Sequence, residues 1–296
     1  MNVEKVDYRP IGSEQNVKVK SMGNITEIMY SEKVSRGGSI RKISKNEYVN
    51  LNTGEVKKFK HNKSRADDKH NVAKSLKAGR DIINTNVTDV KKVRWLTLTY
   101  AENMTDPARL HNDFKIFNTL LRRKIGPYEY ITAAEPQGRG AWHLHSLLIF
   151  DDEAPFIPNE VIADCWKQGF VKITKLDDVD NVGVYLTAYL GDMELDDVNV
   201  NVKADDIKTV DVKVNDETVS KRIVKGARLK MYPPGFHIFR YSKNIKKPLV
   251  SRMKYKEAAE LVGPAKLTYS KSVVLEDVEN DFSNLLTYEY YNKIKK

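Results

Sequence analysis

The sequence predicts an α+β protein built on a split-βαβ antiparallel sheet, with extensions before and after it, and three observations predict it. In the middle third, stretches rich in β-branched and aromatic residues alternate with stretches of helical periodicity in the order β-α-β-β-α-β-α. Breakers and caps punctuate that order at Asp106-Pro107, Gly126-Pro127, Pro158-Asn159 and Gly169. A single turn, Pro136-Gln137-Gly138-Arg139-Gly140, joins two of the strands directly. Such an order sets the first and third strands side by side at the centre of the sheet.

Residues 1–90 are polar and weakly periodic, with short strands at 39–43 and 47–51 around a turn at Asn52-Thr53-Gly54, and a helix near 69–84. Residues 93–100 read as the first strand of the core. Asp106 then caps a helix that opens on Pro107 and sets Leu110, Phe114, Phe117 and Leu121 at helical spacing. Strands follow at 128–135 and 142–150. Pro158-Asn159 opens a second helix carrying Val161, Ile162, Cys165 and Trp166, with Gly169 as its stop. Residues 170–176 alternate as a fourth strand, and a last helix runs from Asp178 or Asp180 to Leu190. Residues 192–216 set acidic residues among alternating valines, as an insertion or surface hairpin would. Beyond it, 228–232 and 236–241 bracket Pro233-Pro234-Gly235 and suggest a second hairpin. The expected division is therefore an N-terminal extension at 1–90, a core at 91–192, and an acidic insertion with a basic C-terminal region at 193–296.

Composition narrows the class. Apolar residues make up 41% and charged residues 30% of 296, the balance of a soluble globular chain. No run approaches the ~18 apolar residues of a membrane span, and the charged start MNVEKVDYRP leads into no apolar segment. Cys165 is the only cysteine, which rules out an intramolecular disulfide and suits a reducing cytoplasm. Fifty Lys and Arg against forty Asp and Glu give a net charge of +10, which suits a polyanion such as nucleic acid. Arg122, Arg123, Lys124, Arg139, Arg228, Lys230 and Arg240 are the expected DNA contacts. Several basic clusters are interleaved with Tyr232, Phe236, Phe239, Tyr241 and Tyr255, aromatics on which bases can stack.

The chemistry concentrates at His143-Leu144-His145. Side chains alternate along a strand, so both imidazoles leave one face while Trp142 and Leu144 leave the other. If the hairpin folds symmetrically about Arg139, Glu135 lies opposite His143 on that same face. Two neutral nitrogens and one carboxylate then suit a divalent ion, Mn²⁺ or Mg²⁺, with positions left open for phosphate oxygens. On the last helix, Tyr185 and Tyr189 at i, i+4 share one side and are available as covalent nucleophiles. The same two residues also fit an apolar stripe with Val182, Leu186 and Leu190.

These residues resemble the HUH endonucleases, specifically the rolling-circle replication initiators of filamentous phages and plasmids. Residues 95–100 resemble their first motif, 135–145 the metal-binding motif with its upstream carboxylate, and Tyr185-Leu186-Thr187-Ala188-Tyr189 the tyrosine motif. The resemblance implies site-specific nicking of single-stranded or hairpin origin DNA, a 5′-phosphotyrosine intermediate, and a metal held by Glu135, His143 and His145. Many relatives carry a lysine where this chain has Ala188, which leaves the proton at the departing 3′ oxygen without an assigned partner. No G-x-x-x-x-G-K-[ST] occurs, so unwinding falls to a host helicase and extension to a host polymerase. Two other readings keep the same residues in view. A relaxase or transposase would share the chemistry, whereas a non-catalytic RRM-like nucleic-acid binder would share the topology and leave Glu135, His143 and His145 unexplained.

Overall fold

The computed structural model describes residues 2–34, 38–176, 182, 190–194, 207–214, 217–224, 226–278 and 281–295. It is α+β, and the chain divides into two compact units, Met1–Asn62 with Pro248–Lys296, and Lys63–Lys247. The boundaries therefore differ from those the sequence suggests. The two ends of the chain fold together, because their strands pair across more of the chain than any local pattern can report.

In the unit formed by the ends, β1 (Asn2–Val6), β2 (Asn16–Met22) and β3 (Ile25–Ser31) come first. A small meander follows, of β4 (Ile40–Lys42), β5 (Glu47–Asn50) and β6 (Val56–Lys58), turning at Gly54 with φ of 73°.

The inner unit starts with α1 (Lys69–Asn86) and continues with β7 (Val93–Thr99), α2 (Pro107–Ile125), β8 (Glu129–Pro136) and β9 (Trp142–Ile149). Next come α3 (Asn159–Trp166), β10 (Val171–Lys175), β11 (Met193–Glu194), β12 (Ile207–Val214), β13 (Glu217–Val224) and β14 (Phe239–Tyr241). Its main sheet runs β10-β7-β9-β8-β14, so the first and third strands of the core are neighbours at its centre. The acidic insertion is a hairpin of β12 and β13 with β11 along its edge.

The end of the chain adds β15 (Leu249–Lys254), the helix α4 (Tyr255–Val262), β16 (Lys266–Asp277) and β17 (Phe282–Asn292). With the first three strands they make a six-stranded sheet, β1-β16-β17-β3-β2-β15. One face buries Val17, Val19 and Ile28 together with Ala258 and Val262 of α4.

The inner core forms where the periodicities point. Asp106 accepts a hydrogen bond from the Ala108 N–H at 2.7 Å and Pro107 opens α2 behind it. The helix buries Leu110, Phe114, Phe117 and Leu121 on the sheet face that carries Leu96, Leu98, Leu144 and Leu148. Burial at four such positions is worth several kcal/mol, at roughly 1.5–3 kcal/mol for each large apolar side chain. On α3, Trp166 packs edge-on against Phe117 and donates its indole N–H to the Thr99 carbonyl at 3.0 Å. Two expectations are corrected. Lys167, in the left-handed conformation, ends α3, while Gly169 serves a close approach: a Cβ there would lie 2.4 Å from the Ala101 nitrogen. Residues 228–241 form no hairpin. Ala227–Met231 is a 3-10 turn, Pro233-Pro234 offers no N–H, and Phe239–Tyr241 pairs with β8 instead. No helix among the described residues is long and apolar enough to cross a membrane.

Candidate active site

Register brings the three candidate ligands together. Glu135 on β8 pairs with His143 on β9, and Thr97 and Thr99 of β7 pair with His145 and His143. Directly paired residues share a face, so Glu135, His143, His145, Thr97 and Thr99 project from one side of the sheet, away from α2 and α3. The two imidazole centroids are 4.4 Å apart. His145 Nε2 lies 3.3 Å from Glu135 Oε2, and its Nδ1 is 3.5 Å from the Thr97 hydroxyl.

His143 is held differently. The Gln137 side-chain amide lies 3.2 Å from its Nδ1, and its Nε2 is buried without a hydrogen-bond partner. Burial, then the neighbouring His145 and Arg228, outweigh the pull of Glu135 and push its pKa down to about 4. The ring is therefore neutral at physiological pH, the state in which imidazole ligates a metal. Burial raises the Glu135 carboxyl, but the hydrogen bond from His145 and the charges of Arg228 and the imidazoles prevail and hold it below the ordinary carboxylate range. Among the described residues no three His, Cys, Asp or Glu side chains stand ready around one point. The carboxylate is turned to His145 and Arg228. Even so, two neutral imidazoles, an ionised carboxylate and an orphaned buried nitrogen fit a divalent cation in donor chemistry, at the cost of the Glu135–His145 contact.

Arg228 is the main departure from expectation. Expected on DNA, it is buried and spends its guanidinium internally, 2.7 Å from Glu135 Oε1, 2.5 Å from the Pro136 carbonyl and 3.0 Å from the Asp192 carbonyl. It fixes the Glu135 carboxylate and has no donor to spare for a phosphate. Arg139 sits exposed on the β8–β9 turn, donating to the Tyr100 and Ala101 carbonyls, with Nε 3.3 Å from Gln137 Oε1. It braces the amide that holds His143. Arg122, Arg123 and Lys124 end α2, behind the sheet and on the side opposite the imidazoles; Arg122 caps the Tyr128 carbonyl and Lys124 pairs with Asp164. Arg240 pairs with Thr132 and so faces that same rear side, while Lys230 is exposed.

Sequence reasoning passed over Lys172. It pairs with Thr97, which pairs with His145, so its exposed ammonium belongs to the imidazole face. Alternation within 170–176 carried that signal, but only the strand pairing shows which face it names.

Tyr185 and Tyr189 lie outside the described residues. Their flanks are described: Val182 and Leu190 are buried in the core of this unit. The Tyr232 hydroxyl is 3.0 Å from the Ala134 carbonyl and 3.2 Å from that of Leu190. The residue after Tyr189 is thus tied to the backbone beside Glu135.

Residues 93–194 match a family model described as Replication-associated protein, of the ORF2 type. That span covers the β7-to-β10 core and all three candidate ligands. Compared with curated proteins and with solved structures, the chain has no significant match.

Proposed function

We propose that the inner unit nicks and rejoins DNA at a specific site to start rolling-circle replication. In this reading Glu135, His143 and His145 hold Mn²⁺ or Mg²⁺, and Tyr185 or Tyr189 is the nucleophile. The observation that carries it is the meeting of these three side chains on one face, with a neutral, unpartnered His143 Nε2 between them. When bound, the ion polarises a phosphoryl oxygen and offsets the charge that develops on it.

The chain's own residues do the rest. A phenol oxygen forms the new bond to phosphorus, the P–O3′ bond breaks, and the phenol proton passes to the departing 3′ oxygen. The 5′ end stays on the enzyme as a phosphotyrosine, and the reverse transfer rejoins the strand. Lys172 offers a cation on the same face for the scissile phosphate, and Arg228 keeps Glu135 aimed and ionised. The origin would be presented single-stranded or as a hairpin, with host helicase and polymerase completing replication. The match of residues 93–194 to a replication-associated family supports this assignment.

His143→Ala and His145→Ala test it on an origin-like oligonucleotide with added Mn²⁺. Cleavage should fall about a thousandfold or more in each, the several kcal/mol that a Lewis acid contributes, while oligonucleotide binding persists. Full cleavage by both variants in chelator would remove the metal from the reading.

A further inference from the structure

The six-stranded sheet of the outer unit has two unlike faces. Val19, Ile28, Ser272 and Thr287 on the α4 side are 0% exposed. On the other side, strand pairing lines up two continuous rows. The first is Lys271–Tyr288–Met29–Lys18–Arg252, from β16 across β17, β3 and β2 to β15. The second, beside it, starts Tyr269–Tyr290 and continues through Glu27 to Lys20. All five side chains of the first row are partly or fully exposed, and Tyr269 is 51% exposed. At about 4.8 Å between strands, each row measures roughly 15–20 Å.

The chemistry of these rows is selective. The Lys271 ammonium sits 5.2 Å from the Tyr288 ring centroid, and the Tyr269 and Tyr290 rings are 5.8 Å apart. Lys20 lies 3.7 Å from Glu27 and offsets the one carboxylate in the rows, which leaves Lys18, Arg252 and Lys271 in excess. Flat π faces beside spaced cations are the two elements of a single-strand platform, on which bases stack while phosphates meet the charges. An acidic polypeptide would satisfy the cations but give the tyrosines no task. A duplex hides the base faces that the tyrosines would stack on.

We infer that this open sheet face of the outer unit is a second nucleic-acid surface, one that binds single-stranded DNA. It goes beyond the nicking reading and stands without it. The sequence clusters do not foretell it: of the basic run 243–256, only Arg252 enters the first row, while Tyr255 turns to Glu289 on the other face.

The test is fluorescence anisotropy of the full chain with a labelled oligo-dT, in EDTA so that no cleavage enters. Lys18→Glu with Lys271→Glu should weaken binding about tenfold or more and flatten the salt dependence by roughly 1.4 in log–log slope, the share of two phosphates on a single strand. Tyr269→Ala with Tyr290→Ala should also cost about tenfold, the stacking of one or two bases. Thermal melts of the variants establish that they are folded. In the unaltered chain, light-induced cross-links from an iododeoxyuridine oligonucleotide should map to Tyr269, Tyr288 or Tyr290. Unchanged affinity and slope in both folded variants overturns the inference, as do cross-links confined to residues 63–247. Equal competition by duplex DNA or polyglutamate, or tighter binding of the matched RNA, overturns the single-stranded DNA assignment. Because no cleavage is read, failure here leaves the nicking reading standing, and the converse holds.

Discussion

Two sheets of this molecule each bury a glutamate, and their partners set them apart. Glu135 in the inner unit meets two imidazoles and a guanidinium, with a buried imidazole nitrogen left over beside it. Glu289 in the outer unit meets only phenols: Tyr8 donates to it, Tyr255 lies at 3.1 Å and Tyr291 at 2.8 Å. Those hydroxyls satisfy the carboxylate and tie the segment after β1, the helix α4 and β17 to one point. Burial and the Glu289 contact push the Tyr8 hydroxyl far above the ordinary phenol range, so it stays a neutral donor. The same residue type is a clasp where its neighbours are complete and a candidate ligand where they leave a donor over. Burial alone therefore identifies no active site; the leftover valence does.

Exchanging each carboxylate for its amide should separate the two glutamates most widely. Glu135→Gln should cut cleavage by about a hundredfold or more, since a neutral amide no longer helps to ligate or balance a divalent ion, whereas Glu289→Gln should leave cleavage rates intact. Equal losses in both, read by gel under saturating Mn²⁺, would erase the distinction. Arg228→Ala comes next. It strands a buried carboxylate, so denaturant unfolding should show a loss of about 3–5 kcal/mol. An unchanged midpoint would mean that Arg228 does not hold Glu135.

A smaller effect is expected in pH. His143 has a folded-state pKa near 4, below its ordinary 6.5, so the unfolded chain binds that proton more readily. Stability should then fall as pH drops from 6.5 toward 4. His111 is shifted in the same direction by its own burial, so the comparison needs His143→Gln, whose melting temperature should decline less steeply over that window. Parallel curves would show that His143 is not held neutral. The smallest effect belongs to Tyr8→Phe, which removes one of three hydroxyls from Glu289 and should cost about 1 kcal/mol. A loss several times larger would mean that the clasp carries more of the outer unit than one hydrogen bond.

Much of the inner unit was legible because its signals are local. Alternation gave β7, β9 and the shared face of His143 and His145, Asp106-Pro107 gave the start of α2, and the short turn at Arg139 gave the pairing of Glu135 with His143. What stayed hidden depends on contacts between distant segments. Arg228 reads as one more cation in a basic cluster until the fold carries it 92 residues back to the Pro136 carbonyl. Lys172 reads as half of an alternation whose face only the β7 pairing names. The outer sheet was the least legible, because β1 pairs with β16 and β2 with β15, far beyond the reach of any periodicity.

The central claim is that the imidazole face serves a tyrosine nucleophile, and one measurement meets it directly. The full chain is incubated with an origin-like single-stranded oligonucleotide and Mn²⁺, digested, and mapped by mass spectrometry for DNA-modified peptides. The account predicts a phosphotyrosine at Tyr185 or Tyr189 that is lost in EDTA and in His145→Ala. A covalent adduct on any other residue, or one that forms equally well in chelator, would contradict it.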